Sequence, residues 1–119
     1  MSDKVQRDCI FCKIINKQIP ASFEYENDLT AAFNDVNPQA PVHIVIVPKE
    51  HIEKISDLDL KHRDLITSMI LAANQLAKKK RIADNGYRLV INCNKEAGQS
   101  VFHLHLHLLG GRPMNWPPG

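Results

Sequence analysis

Residues 103–109 read HLHLHLL, so three histidines alternate with leucines. This two-residue period predicts a β-strand, because successive side chains of a strand point to opposite faces of its sheet. The leucines would then face a core, while His103, His105 and His107 line the other face at a spacing of about 6.6 Å. Imidazole can act as nucleophile, acid, base or metal ligand near neutral pH. The row therefore indicates a reaction site carried by a strand.

Two kinds of chemistry fit this row of histidines. His-x-His on a strand is a common metal-ligand spacing, whereas one ring could instead attack a phosphate while its neighbours donate hydrogen bonds. The flanking residues favour the phosphate, because Gly98, Gln99 and Ser100 offer backbone N–H groups, an amide and a hydroxyl to an anion. Gly110 and Gly111 allow a sharp turn directly after the strand.

Length and composition predict one domain over residues 1–119, with residues 1–8 disordered. The hydrophobic fraction of 44% and the charged fraction of 24% are ordinary for a globular protein, and a net charge of +2 indicates neither nucleic acid nor a membrane as partner. The polar N-terminus lacks the apolar segment of a secretory signal. Three cysteines, an odd number, predict reduced thiols. We therefore expect a cytoplasmic protein that also reaches the nucleus.

The remaining segments predict an α+β fold. Apolar residues at helical spacing over 65–77 predict a long helix, capped by Asp57 or Asp59 and ended by the basic run 78–81, which we interpret as a helix end and not as a nucleic-acid patch. A short helix is expected over 9–17 and strands over 22–26, 29–33, 42–47, 87–92 and 101–109. Short connections favour a five-stranded, mainly antiparallel sheet with the long helix on its leucine face.

The C-terminal tail is too rich in proline for a helix, yet it contains the only tryptophan, Trp116. A large apolar side chain on a free tail would be exposed to water without gain, so we expect Trp116 to dock on its own subunit or on a partner. A symmetric dimer would also cover an exposed edge of the sheet. The tail over 110–119 is thus expected near the active site.

Several segments together resemble the histidine triad family, and within it the Hint branch. They are HLHLHLL at 103–109, NDV at 34–36, VH at 42–43, PKEHI at 48–52, GQSV at 98–101, LGGR at 109–112 and WPPG at 116–119. The last two distinguish this branch from the one that cleaves dinucleoside polyphosphates. Asn115 departs from the pattern, because relatives often carry histidine there. The resemblance implies a homodimer with a ten-stranded sheet that hydrolyses purine nucleoside 5′-phosphoramidates, such as adenosine 5′-monophosphoramidate.

The resemblance also implies roles for residues of the histidine row. His105 would attack phosphorus and form a nucleotidyl-histidine, which water then hydrolyses to a nucleoside monophosphate without a catalytic metal. His107 and Ser100 would supply or guide the proton that the leaving amine needs. Gln99 would stabilise charge on the phosphoryl oxygens. His43, on a neighbouring strand, would orient the row through a hydrogen bond.

A nucleotide pocket is implied in the same way. Asp35 would accept hydrogen bonds from the ribose hydroxyls; the alternative, which the resemblance disfavours, is that it caps a loop turn. Asn92 would reach the phosphate from the end of the fourth strand. Apolar residues would enclose the base, although they are equally suitable as plain core. The nucleotide-binding set also includes His105, His107, Ile10, Phe11, Phe33, Val36, Gln99, Ser100 and Val101.

A second site is suggested by Cys9-x-x-Cys12, a metal-ligand spacing that supplies two of the four ligands that zinc requires. Relatives with this motif resemble the chain in also having His51 and His103, which implies a closed, structural zinc site. The alternative is a pair of small buried thiols in a short helix. In the zinc interpretation the His103 ring is structural, and catalysis falls to the other two histidines of the row.

Two other functions remain open at this stage. One is a non-catalytic purine nucleotide-binding protein with a regulatory role, which would bind AMP without turnover. The other is a metalloenzyme that uses the three histidines as direct ligands. No role is assigned to Cys93 or His62.

Overall fold

The computed structural model describes residues 8–119, and the predicted disorder of residues 1–8 lies, apart from Asp8, outside that range. Two helices and five strands make up the regular structure of this range, together with short 3-10 turns. They are α1 (Ile10–Ile15), β1 (Phe23–Glu26), β2 (Thr30–Asn34), β3 (Val42–Pro48), α2 (Arg63–Lys79), β4 (Tyr87–Val90) and β5 (Leu106–Gly110).

The strands form one sheet in the order β1-β2-β3-β5-β4, and every neighbouring pair is antiparallel. Asn27 closes the first hairpin, because its side-chain oxygen accepts from the backbone N–H groups of Leu29 and Thr30 at 2.9 and 2.8 Å. The predicted α+β fold with a five-stranded antiparallel sheet is therefore confirmed.

Each face of the sheet is covered by a different helix. The leucine face packs on α2, whose buried residues include Leu65, Met69 and Leu76. The opposite face carries Phe33 and Val45 and packs on α1. As predicted from the alternation, the even-numbered leucines of the histidine row are all buried on the α2 side, namely Leu104, Leu106 and Leu108.

The β3–β5 ladder ends earlier than the alternation predicts, since β5 begins at Leu106 and not at residue 101. Its last pair is Ile46 with Leu106, and the same register would set Leu104 opposite Pro48. Proline has no N–H to donate to a ladder. The Leu104 N–H donates instead to the carbonyl of Ile52 at 2.6 Å. Residues 103–105 thus lie just outside the strand. β4 likewise ends at Val90, short of the predicted residue 92.

The start of α2 differs from the prediction. Asp59 caps the 3-10 turn Leu60–His62 that precedes α2, and not α2 itself, by accepting from the Lys61 N–H at 3.0 Å. His62 is buried there and its Nδ1 accepts from the Asp59 N–H at 3.1 Å. No role was expected for His62, and the structure places it in this turn.

No helix in the described range is long and apolar enough to cross a lipid bilayer. All three cysteines are thiols, as predicted.

Glu24 of β1 ties the sheet to the end of α2. Its carboxylate accepts from Lys80 at 2.8 Å, from Asn34 at 2.8 Å and from Lys79 at 3.3 Å. The hydrogen bond from Lys80, followed by that from Asn34, lowers the pKa of Glu24 to about 2. Lys79 and Lys80 of the basic run therefore lie at the end of α2 and bind the sheet through Glu24, in agreement with the prediction.

We predict that Glu24→Gln reduces the free energy of unfolding by about 1 kcal/mol at pH 7. A carboxyl whose folded pKa is depressed stabilises the fold above its unfolded pKa and loses this contribution as pH falls toward the folded value. The difference between wild type and variant should therefore shrink between pH 4.5 and pH 2, as measured by urea unfolding. Glu96→Gln, at an exposed glutamate, is the control. A difference that does not change with pH would contradict this account.

Candidate active site

His105 lies at the centre of the site, one residue before β5. Its Nδ1 is 2.7 Å from the backbone carbonyl oxygen of His103. A carbonyl can only accept, so Nδ1 carries the proton and Nε2 of the neutral ring keeps its lone pair. The ring is buried, with Phe11 edge-on at 5.2 Å and the His107 ring at 5.0 Å between centroids. The geometry thus fixes the tautomer in which Nε2 can act as a nucleophile.

Beside it, a chain of hydrogen bonds that we call the histidine relay joins Gln39, His43 and His107. The Gln39 N–H donates to His43 Nδ1 at 3.0 Å, so the proton of neutral His43 is on Nε2. That nitrogen is 2.9 Å from His107 Nδ1 and donates to it. The proton of neutral His107 is therefore on its Nε2. The relay gives His107 and His105 opposite tautomers.

Burial, with smaller contributions from His105 and His43, lowers the pKa of His107 to about 4. Burial also lowers the pKa of His43, and the charge of Asp35 opposes this shift. Both rings of the relay are consequently neutral near pH 7. The site places a ring nitrogen with a free lone pair next to a ring that can donate an N–H. Such a pair suits attack on an electrophile with proton donation nearby.

The Asp35 carboxylate has two contacts, one through each oxygen. One carboxylate oxygen accepts from the Asn37 N–H at 2.8 Å, which is the turn cap considered as the alternative to a ribose contact. The other oxygen lies 3.5 Å from His43 Nε2. The side chain remains 22% exposed, so hydroxyl groups can still reach it. A ribose contact stays a prediction.

Asp35, His43 and His107 also bring three potential metal ligands within 4.8 Å of one another. The hydrogen bonds argue against a metal there. Because Gln39 occupies the lone pair of His43 Nδ1, a metal at Nε2 would require an imidazolate. Asp35, His43 and His107 therefore fit a relay of neutral rings better than a metal site. The alternative of a metalloenzyme with the three histidines of the row as ligands stays a prediction.

A different donor set includes His103, whose carbonyl accepts from the His105 ring. We call it the thiol–imidazole cluster, and it consists of Cys9, Cys12, His51 and His103. The Cys9 and Cys12 sulfurs lie 3.3 and 3.5 Å from His103 Nδ1, and the Cys12 sulfur lies 3.3 Å from His51 Nδ1. Tetrahedral zinc with bonds of about 2.0–2.3 Å sets sulfur and nitrogen ligands roughly 3.5 Å apart.

The remaining nitrogen of His103 strengthens this fit. His103 Nε2 donates to the Pro48 carbonyl at 2.8 Å, which leaves Nδ1 with its lone pair toward the two sulfurs. A metal-ligating histidine commonly donates its other N–H in this way. The cluster therefore suits zinc, whereas the histidine relay does not.

The apolar residues predicted around the base divide into two groups. Phe33 is buried and its ring lies 5.5 Å from that of Phe11, which contacts His105. Ile10 is 46% exposed and Val36 is fully exposed, which excludes the plain-core alternative for these two. The four residues thus range from the wall beside His105 to the surface.

Gln99 does not have the role predicted for its side chain. Its amide N–H groups donate to the carbonyls of Glu53 at 2.7 Å and Val101 at 3.1 Å, and its oxygen accepts from the Asn94 N–H at 2.7 Å. The buried amide thus braces the loop before the histidine row. With these donors occupied, the Gln99 side chain has none to direct at a phosphate.

The other predicted phosphate contacts lie in two cavities. Ser100 and Val101 line one of about 360 Å³ together with Cys9 and His51. Asn92 lines another of about 450 Å³ between β4, β5 and the C-terminal tail. Ser100 therefore lies beside the thiol–imidazole cluster, and its role in proton transfer stays a prediction.

Trp116 is 82% exposed, so it does not dock on its own subunit, which was one of the two predicted alternatives. The tail is held beside it by the Arg88 guanidinium, which donates to the Asn115 carbonyl at 3.0 Å. Docking on a partner subunit stays a prediction.

Sequence reasoning missed Gln39 and Arg112. The Arg112 guanidinium donates twice to the Gln39 carbonyl, at 3.1 and 3.0 Å. Since the Gln39 N–H fixes the tautomer of His43, Arg112 supports the histidine relay from the tail. The Gly-Gly-Arg segment was the signal for Arg112, whereas Gln39 acts through its backbone, which the identity of its side chain does not reveal.

The tautomers can be measured directly. At pH 7, long-range ¹H–¹⁵N spectra should show His105 protonated on Nδ1 and both His43 and His107 protonated on Nε2. Gln39→Pro removes the N–H donor and should abolish the fixed tautomers of the relay without changing His105. Gln39→Ala keeps that N–H and serves as the control. Protonation of wild-type His107 on Nδ1, or its titration near pH 6.5, would refute the relay.

Comparisons with known proteins agree with this geometry. The family model described as "Scavenger mRNA decapping enzyme C-term binding" matches residues 8–116. An uncharacterized HIT-like protein of Synechocystis is 51% identical over 112 residues, covering 94% of this chain and 97% of that protein. The purine nucleoside phosphoramidase of Escherichia coli K12 is 45% identical over 107 residues, covering 90% of each. The crystal structure of a HIT family hydrolase from Legionella pneumophila superposes with a TM-score of 0.92 at 46% identity, covering 94% of this chain and 100% of that one. With this site and these relatives, the chain belongs to the histidine triad family.

Proposed function

We propose that the protein is a hydrolase that cleaves the P–N bond of purine nucleoside 5′-phosphoramidates and releases AMP or GMP. The observation that carries the proposal is the 2.7 Å contact from His105 Nδ1 to the His103 carbonyl, which leaves Nε2 unprotonated beside His107. The 45% identity to a purine nucleoside phosphoramidase supports the choice of substrate. Adenosine 5′-monophosphoramidate is the simplest substrate of this class.

In the first step His105 Nε2 attacks phosphorus, a P–N bond to the ring forms, and the P–N bond to the amine breaks. The departing amine takes up one proton. Solvent supplies this proton, and His107 guides it, because the Nε2–H of the neutral ring does not bind His43 and can donate a hydrogen bond to the reacting groups. His107 takes up no second proton, since the N–H of His43 occupies its Nδ1.

In the second step a water molecule attacks phosphorus and gives one proton to solvent, and the bond from phosphorus to His105 Nε2 breaks. The nucleoside monophosphate leaves and His105 returns to its neutral form. Splitting the reaction this way replaces one difficult displacement by water with two easier ones. Asp35 would hold the ribose, Phe11 and Phe33 would line the base, and Asn92 would reach the phosphate. We also propose that two chains pair as a homodimer with a ten-stranded sheet.

Zinc is the metal that we propose for the thiol–imidazole cluster. Cys9, Cys12, His51 and His103 would hold it, and it would supply a structural cross-link with no part in the chemical steps. The link would join α1 to the chain after β3 and to the residues before β5. Neither step of the proposed reaction needs a metal.

We expect His105→Asn to lower kcat/KM for adenosine 5′-monophosphoramidate by about 10⁴-fold or more, because it removes the nucleophile. Mass spectrometry of wild-type protein quenched during turnover should show one added nucleotidyl group, which the variant should lack. His62→Asn, in the turn before α2, is the matched control and should keep its activity. Near-normal turnover by His105→Asn would refute the assignment. Binding of AMP without any turnover by wild type would favour the non-catalytic regulatory protein.

We expect one zinc ion per chain by elemental analysis of protein purified without chelator. Cys12→Ser should lose this zinc and lower Tm by roughly 5–10 °C, because a structural metal contributes directly to folding. Cys93→Ser changes a cysteine outside the cluster and should retain the zinc ion and the wild-type Tm. Equal zinc content in the two variants would contradict the proposed site.

A further inference from the structure

The segment that carries His105 is not held by the sheet. Residues 103–105 lie before the first ladder pair of β5, so strand hydrogen bonds do not fix the His103 carbonyl. Besides the burial of Leu104 in the core, two hydrogen bonds hold this segment, namely the Leu104 N–H on the Ile52 carbonyl at 2.6 Å and His103 Nε2 on the Pro48 carbonyl at 2.8 Å. The position of the acceptor for His105 Nδ1 therefore depends on how the His103 residue is anchored.

His103 contacts both sites, one through its ring and the other through its backbone carbonyl. Its ring nitrogen Nδ1 faces the sulfurs of Cys9 and Cys12, and its backbone carbonyl accepts from His105 Nδ1. Thiol groups are weak hydrogen-bond partners, whereas bonds to a metal hold a ring nitrogen in one position. Filling or emptying the thiol–imidazole cluster should therefore change how firmly the His103 carbonyl is fixed.

A second connection runs through α1. This helix has six residues and cannot be stable by itself, so its place on the sheet depends on its packing and on Cys9 and Cys12. Phe11, on the same helix, lies 5.2 Å from the His105 ring and 5.9 Å from the His103 ring. Movement of α1 would shift the wall against which the His105 ring rests.

We propose that the thiol–imidazole cluster positions the nucleophile: with zinc bound it holds His105 as the Nδ1–H tautomer, and without zinc it releases that constraint. His103, Cys9, Cys12 and His51 are thus positioning residues, and turnover follows zinc occupancy. This rests on the proposed function, in which His105 attacks phosphorus. The cluster is reachable from solvent, because Cys9 and His51 line the cavity of about 360 Å³.

The experiment compares three forms of the full chain labelled with ¹⁵N-histidine. They are wild type with one equivalent of zinc, wild type stripped by a chelator, and Cys9→Ser. Long-range ¹H–¹⁵N spectra report the His105 tautomer, backbone amide spectra report the fold, and steady-state kinetics report kcat and KM. Cys9→His, which retains a zinc ligand, is the conservative variant, and Cys93→Ser is the matched control.

With zinc, His105 should give a single Nδ1–H signal. Stripped protein and Cys9→Ser should keep the amide signals of the sheet but lose this single tautomer, and kcat should fall about tenfold or more with KM changed less than about twofold, as for removal of groups that orient a reacting ring. Adding zinc back to stripped wild type should restore the signal and kcat. Cys93→Ser should behave as wild type. Cys9→His with zinc should regain the single Nδ1–H signal that Cys9→Ser loses.

An unchanged His105 tautomer and kcat in folded, zinc-free protein would overturn the proposal. Unfolding of every zinc-free form would also overturn it, because the cluster would then hold the whole fold and not His105 selectively. The tautomer readout needs no turnover, so it decides the coupling even if wild type fails to hydrolyse phosphoramidates. Conversely, turnover by His105→Asn would refute the proposed function while leaving the coupling of the cluster to His105 intact.

Discussion

The missing backbone N–H of Pro48 is the constraint on which the arrangement of the site depends. The β3–β5 ladder runs to the pair Ile46 and Leu106, and its next step would need a donor that proline lacks. The chain leaves the ladder there, and the Pro48 carbonyl accepts from the His103 ring instead. The β4–β5 ladder also ends before this point, at the pair Val90 and His107, so the His103 carbonyl is outside both ladders and accepts from the ring of His105. A break in regular structure thus creates the acceptor that sets the nucleophile.

The histidines differ in chemistry because different backbone groups bind their rings. A carbonyl against His105 Nδ1 and another against His103 Nε2 leave the opposite nitrogen of each ring with a lone pair. The Gln39 N–H against His43 Nδ1 does the reverse, so that His43 donates its Nε2–H to His107 Nδ1. One such hydrogen bond contributes only about 1 kcal/mol to folding. The larger effect of such a hydrogen bond is to fix the tautomer of the ring, and the tautomer determines whether a given nitrogen can attack, donate or bind a metal.

Much of the fold could be predicted from the sequence, because buried side chains recur at short, regular intervals along strands and helices. The leucines at 104, 106 and 108 are buried as the alternation predicted, even where the ladder has ended, since the extended chain still directs alternate side chains to the core. The start of β5 was mispredicted because the effect of Pro48 depends on register between distant segments. Gln99 was misassigned because an amide offers the same donors to a phosphate as to the carbonyls of a loop. Gln39 was missed because it acts through a main-chain N–H.

The boundary of β5 also explains why neighbouring histidines can take different roles. His107 is inside the ladder, paired with Val45, and its position is set by the rigid centre of the sheet. His105 is outside it, and its ring is set by a single carbonyl and by Phe11. Inserting one residue into this segment would exchange the leucine and histidine faces, since side chains alternate. The same change would move the ladder boundary away from Pro48. The packing of the leucines and the chemistry of the histidines therefore both depend on the register of β5 against β3.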